Sequence, residues 1–191
     1  MIVGITGTLG AGKGTIAEYL VKKKGFKHLS VREFLNKELV KRKLTLNRDN
    51  LVSVANELRK KFGPSYLAES LYNTAKKSRK NCVIESLRNP GEILALRKKG
   101  QFFLFAVDAD AKIRFKRTTL LKEEIYKISF KEFVSNERRE MDSSDPNKQN
   151  LKKCIEMADY SFINNGTVKE LYKEVEETLE QTNITLASGK T

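Results

Sequence analysis

Five short apolar runs punctuate the chain, at 2–6, 26–29, 82–85, 102–107 and 160–164. Most lack the every-second-residue alternation of a half-solvated strand, so they read as strands covered on both faces. Between them, apolar residues recur at helical spacing. Leu51, Val54, Leu58 and Phe62 share one face of a helix bounded by Asn47 and by Gly63-Pro64, and a second helix follows from Pro64 to about Lys77. Ser30-Val31-Arg32-Glu33, Ser129-Phe130-Lys131-Glu132 and Thr167-Val168-Lys169-Glu170 each place a hydroxyl to bond a free helix N–H and a Glu to reach back. Asn89-Pro90-Gly91-Glu92 combines an Asn cap, Pro at the first helical position and an acid at the third, with Gly100 as the stop. Strands separated by helices predict an α/β fold with right-handed crossovers and a parallel sheet.

With 191 residues the chain is long enough for one domain with a good core. No repeat, linker or low-complexity block divides it, so 1–185 is read as a single domain and 186–191 as a disordered tail. That tail carries a Ser-Gly-Lys-Thr that imitates the end of a phosphate loop, but no helix follows to aim a dipole, and it is set aside.

Composition narrows the setting. No apolar run approaches the roughly 18 residues that span a bilayer, and no signal-peptide pattern opens the chain. A cytoplasmic protein with no membrane partner is expected. Cys82 and Cys154 are too few for a disulfide scaffold and read as small core hydrophobes. The formal charge of +13 favours anionic partners: nucleotides, polyphosphates or nucleic acid. Many lysines fall near helix ends, where cations complement the helix dipole and need no ligand. No ribonucleoprotein or zinc-finger signature is present, so nucleic acid stays open without being the favoured partner.

The chemistry concentrates at the start. The run 2–6 reads as a buried strand, Gly7 to Gly12 as a loop, and Lys13 as the first residue of a helix with Ile16, Ala17 and Leu20 facing inward. Glycines turn backbone N–H groups toward phosphate oxygens, and the helix N-terminus adds positive dipole. Lys13 is placed to bridge the transferred phosphoryl group, and Thr15 to hold Mg²⁺.

The run Gly7-Thr8-Leu9-Gly10-Ala11-Gly12-Lys13-Gly14-Thr15 resembles the phosphate loop of adenylate kinase and related nucleoside monophosphate kinases, Gly-x-x-Gly-x-Gly-Lys-Gly-Thr. The resemblance implies a P-loop NTPase three-layer fold with a five-stranded parallel sheet of order 2-3-1-4-5. It also implies acceptor-binding helices at about 31–79 and a lid at about 117–142. ATP phosphates and adenine would meet Gly7, Gly10, Ala11, Gly12, Lys13, Gly14, Thr15, Arg114, Asn164 and Gly166.

On the acceptor side, Phe26-Lys27-His28-Leu29-Ser30 resembles the second strand of these kinases, ending in a hydroxyl before the acceptor helix. They usually continue with Gly-Asp and an Arg that clamps the acceptor phosphate. Asn36 stands at that Arg position here, and Arg32, one turn earlier, is expected to take over. Ser30, Arg32, Arg59 and Arg88 form the expected acceptor set. Glu85, at the end of the third apolar run, is expected to hold Mg²⁺ through water. Arg117 and Arg138 are expected to close from the lid and stabilise the transition state, with Lys13, as catalytic residues.

The leading functional expectation is transfer of the ATP γ-phosphoryl group to a nucleoside or deoxynucleoside monophosphate or similar phosphate acceptor. Such an acceptor is already anionic near neutral pH and needs no general base. The alternatives are dephospho-CoA kinase, whose base is expected just past the second strand where Ser30 stands, and a nucleotide-dependent switch or RNA-associated ATPase. Oligomeric state, monomer or homodimer, is open.

Overall fold

β1 (Ile2–Gly7) runs into the loop at 8–12 and then α1 (Lys13–Lys24). There follow β2 (Lys27–Ser30), α2 (Val31–Lys41), α3 (Arg48–Phe62), α4 (Tyr66–Ser78), β3 (Cys82–Glu85) and α5 (Pro90–Arg97). The chain continues through β4 (Phe102–Asp108), α6 (Ala111–Thr119), a 3-10 turn at Glu124–Tyr126, α7 (Phe130–Met141), α8 (Leu151–Glu156), β5 (Tyr160–Ile163) and α9 (Val168–Gln181). This is a computed structural model, and it describes residues 1–121 and 123–181, with the side chain of residue 124 also left aside. The tail expected at 186–191 lies outside the described residues.

All strands are parallel, in the order β2-β3-β1-β4-β5. Val3, Ile5, Val83, Ile84, Leu104 and Phe105 are fully buried, as continuous apolar runs require. α1 and α9 pack on one face through Ile16, Leu20, Leu171 and Val175. The other face carries α2 to α5 and α8 through Leu35, Leu39, Val54, Leu58, Leu67 and Cys154. Both cysteines are free and buried, and burial pushes the Cys154 thiol upward, so it serves as core. The helix starts are chemically explicit. Ser30 Oγ accepts the Glu33 N–H at 3.3 Å, Asn47 Oδ1 accepts the Asn50 N–H at 2.8 Å, and Ser129–Glu132 and Thr167–Glu170 form reciprocal caps.

One apolar position differs from the expectation. Phe62 is half exposed and stacks on Tyr66 at a ring separation of 4.6 Å, because α3 ends there and its last turn overhangs the core.

The register aligns the C-terminal ends of the strands. Ile5 and Ser30 both pair with Glu85, while Gly7 pairs with Val107 next to Asp108. The loop after β1, the start of α2, Glu85 and Asp108 therefore share one edge of the sheet, where ligands of open parallel sheets bind.

Candidate active site

The loop after β1 is held from three sides. Gly10 (φ +77) and Gly12 (φ +111) are in the left-handed region, and a Cβ on Gly10 would press into the Arg114 backbone. Thr8 Oγ1 donates to Asp108, and Asp108 also accepts the Ala109 N–H at 2.8 Å. Arg114 is buried and donates to the Leu9 carbonyl, the Ala109 carbonyl and Glu137. Asn164 Nδ2 donates to the Ala11 carbonyl at 2.7 Å. Arg114 thus braces the loop from behind, and Asp108 is committed to the same scaffold.

Lys13 lies folded along the loop, its Nζ donating to the carbonyls of Gly7 (3.0 Å) and Thr8 (2.7 Å). Burial pushes its ammonium down to about 7, Arg88 pushes the same way, and Glu85 opposes them. Glu85 accepts from or is bridged to His28 Nε2 at 2.9 Å. Burial works against its ionised form, but His28 and Lys13 together hold the Glu85 carboxyl below its usual value. Next to it, Ser86 is buried with φ 71, a left-handed conformation that a non-glycine residue rarely adopts.

A cavity of about 540 Å³ opens from this loop. Gly10, Gly12, Lys13, Gly14, Thr15, Glu85, Arg117 and Asn164 line one side. The other side presents Arg32, Arg48, Arg59 and Arg88 above an apolar wall of Val31, Leu35, Leu51, Val52 and Ala55. Arginines and Lys13 outnumber the two lining carboxylates, Glu85 and Glu140, so the cavity suits a polyanion. Burial lowers the pKa of Arg32 and Arg48, and Arg88 lowers both further, although guanidinium groups stay charged.

The expected residues fall into four groups. Lys13, Thr15, Glu85, Arg32, Arg88, Arg117 and Asn164 converge on the cavity. Arg117 is fixed there by donating to the carbonyls of Asn164 (2.8 Å) and Gly166 (3.1 Å). Arg59 reaches the cavity wall but is 1% exposed, with Nε and Nη2 both on Glu92 Oε1 at 3.1 and 2.9 Å. Gly7, Ala11, Ser30, Arg114 and Gly166 shape the loop, a helix cap or the wall from outside the cavity lining. Arg138 is exposed and outside that lining.

Sequence reasoning missed Arg48, Glu140 and Gln149. Glu140, 3% exposed on α7, accepts from Arg48 Nε at 2.8 Å and from Arg88, which also reaches Gln149 Oε1 at 3.2 Å. Arg48 had a signal: it is a cation in the first turn of α3, where the helix dipole disfavours it. Glu140 had none, because its partners are 92 and 52 residues away.

Burial penalises the Glu140 carboxylate, but Arg88 and Arg48 overcome this and hold it below its ordinary value of 4.5. A depressed folded-state pKa contributes stability that is present above the unfolded value and lost as pH falls through the folded one. Glu140→Gln is therefore expected to destabilise the protein by about 2 kcal/mol at pH 7, the scale of a charge-assisted hydrogen bond. Urea unfolding at pH 7 and at pH 3 checks this, with the gap shrinking at the lower pH.

Strand order, phosphate loop and cavity together define a protein of the P-loop kinase fold. Residues 3–145 match the AAA_18 family, an AAA domain, and the chain belongs to that family. Similar proteins include a UPF0200 protein of Methanococcus maripaludis strain C7, 28% identical over 183 residues that cover 94% of this chain and 96% of the relative. Another is a UPF0200 protein of Thermococcus gammatolerans, 26% identical over 187 residues, 95% of each chain. Among solved structures, a shikimate kinase from Bacteroides thetaiotaomicron matches with a TM-score of 0.61 at 14% identity, covering 94% of this chain and 98% of that one. A gluconokinase from Sinorhizobium meliloti 1021 matches with a TM-score of 0.60 at 13% identity, over 97% and 96%. At these identities the likeness is one of fold. No helix among the described residues is long and apolar enough to cross a membrane.

Proposed function

We propose that the protein transfers the γ-phosphoryl group of ATP to a small acceptor that itself carries a phosphate, with a nucleoside monophosphate as the leading class. One observation carries the reading: Arg32, Arg48 and Arg88 share a single cavity with the phosphate-loop lysine. Planar guanidinium groups bind phosphate bidentately, and the apolar lining of Leu35, Leu51, Val52 and Ala55 would cover a base or similar apolar group.

The residues present fit Mg²⁺. Thr15 and Glu85 both line the cavity, and Glu85 Oε1 lies about 4.0 Å from where a Gly14 side chain would begin. Thr15 would hold the ion directly and Glu85 through water, and the ion would neutralise charge on the bridging phosphate oxygens. Lys13, swung off the Gly7 and Thr8 carbonyls, would meet the β- and γ-phosphates. Arg117 would stabilise charge on the transferred group, and Arg48 and Arg88 would exchange Glu140 for the acceptor phosphate. Catalysis is then positioning and charge stabilisation.

Hydroxyl acceptors such as dephospho-CoA fit less well. Ser30, at the place where a base is needed, uses its hydroxyl to cap α2, and Asp108 is bound to Thr8, Ala109 and the neighbourhood of Arg114. The test is a panel of ribo- and deoxynucleoside monophosphates and dephospho-CoA with ATP·Mg²⁺. Diphosphate products from at least one monophosphate are expected, with Arg48→Ala raising that acceptor's KM by about tenfold or more and ATP's little. Phosphorylation of dephospho-CoA alone would defeat the reading.

A further inference from the structure

The end of the sheet opposite the phosphate loop is strongly basic. Three connections enter strands there: α1 to β2, α4 to β3 and α5 to β4. Each carries lysines or arginines, and the sheet order draws them together. The Lys27 N–H donates to the Asn81 carbonyl at 2.9 Å, Cys82 N–H to Met1, and Ile2 N–H to Gln101, which ties the three connections into one surface. Glu18, Glu69, Asp159 and Glu176 pair with Lys22, Lys99, Arg97 and Lys24. Lys27, Lys76, Lys77, Arg79, Lys80 and Lys98 are exposed and, among the described residues, have no acidic partner.

Within this surface lies a second cavity of about 310 Å³. Tyr72, Phe102, Asn81 and Gln101 line it together with Lys76, Arg79, Lys80 and Lys99, the Phe102 ring also packing inward against Gly4. Tyr72 is held in place, its hydroxyl donating to the Lys99 carbonyl at 3.3 Å with the Lys99 ammonium 5.9 Å from the ring centre. Arg79 ends α4 with φ 54, a left-handed position that glycine would take without strain.

We infer that this basic end is a binding site for single-stranded RNA. A groove of cations tracks phosphates while an aromatic-walled pocket takes a base, and amide edges can hydrogen-bond it. A membrane surface fits poorly, since of the large exposed apolar residues only Leu94 lies on a helix that leads into this surface, and the others, such as Val40, Leu120 and Leu121, lie elsewhere. RNA is chosen over DNA because its 2′-hydroxyl, donor and acceptor at once, suits a pocket lined by the amide residues Asn81 and Gln101. The site is separated from the phosphate loop by the six residues of β1, roughly 20 Å, and does not depend on the phosphotransfer reading.

The experiment is fluorescence-anisotropy titration of a 12-nucleotide RNA over a range of salt. Wild type should bind with a steep salt dependence. Lys76→Glu/Lys77→Glu/Lys80→Glu should weaken binding at least tenfold and flatten the log–log salt slope by about 2, from about 0.7 per lost phosphate contact. Lys37→Glu/Lys60→Glu/Lys131→Glu, the same change in net charge at exposed sites elsewhere, should have little effect. Arg79→Gly should weaken RNA binding several-fold while leaving thermal stability equal or higher, which separates binding from folding. Equal loss in both triple variants, or tighter binding to vesicles of anionic phospholipid than to RNA, would overturn the assignment.

Discussion

Lys13→Met is expected to reduce phosphoryl transfer by about 10³-fold, the scale on which a single preorganised charge acts on a phosphoryl or acyl transition state. The same substitution should make the unliganded protein more stable near neutral pH. The reason is the ammonium's position: buried, folded onto two carbonyls, and facing Arg88, it has a pKa of about 7 in place of 10.5. Between those values the unfolded chain binds a proton that the folded protein does not, so wild-type stability rises with pH across that window. Methionine carries no such penalty. The variant's advantage should be full at pH 7 and below and should close as pH approaches 10.5. Thermal unfolding in chelator without nucleotide measures it. A loss of stability at pH 7 would show that the lysine supports the loop rather than waiting for an anion.

Arg59→Met is expected to destabilise the fold by about 3–5 kcal/mol, the cost of leaving one half of a buried ion pair alone. Glu92 is fully buried, and its two oxygens divide their tasks. Oε1 takes Arg59, while Oε2 accepts the N–H groups of Arg88 (2.9 Å) and Asn89 (3.2 Å) at the start of α5. Removing Arg59 leaves a carboxylate with hydrogen bonds on one side only. Adding Glu92→Gln removes the charge and retains an acceptor for the cap, so the double variant should recover much of the loss. Denaturant unfolding of wild type, both single variants and the double variant reads this coupling directly.

The Glu92 network also shows where the sequence was legible and where it was not. Asn89-Pro90-Gly91-Glu92 announces a helix cap, since its partners are three residues apart, and the structure contains that cap. Nothing local says that the other oxygen of Glu92 meets Arg59, 33 residues earlier. The resemblance therefore sent Arg59 toward a phosphate, while the fold ties its guanidinium to a carboxylate. The strands were readable because burial on both faces leaves unbroken apolar runs, and the phosphate loop because its glycines and lysine are contiguous, whereas the strand order followed from the resemblance and not from the runs themselves. The acceptor wall was readable only in part, because Arg48, Arg88, Glu140 and Gln149 come from separate segments that meet only after the sheet forms. Arg138 illustrates the phase problem on a single helix. Phe133, Glu137 and Glu140 recur at helical spacing on the inward face of α7, and Arg138 falls outside it.

The central claim is that one cavity holds both a phosphate donor and an anionic acceptor. Its most direct test is product analysis from γ-labelled ATP·Mg²⁺ mixed with the purified protein and each nucleoside monophosphate. The account predicts that label moves into a nucleoside diphosphate faster than inorganic phosphate is released, and that Lys13→Met abolishes that transfer. Release of inorganic phosphate at the same rate with or without every acceptor, and no labelled diphosphate, would contradict it.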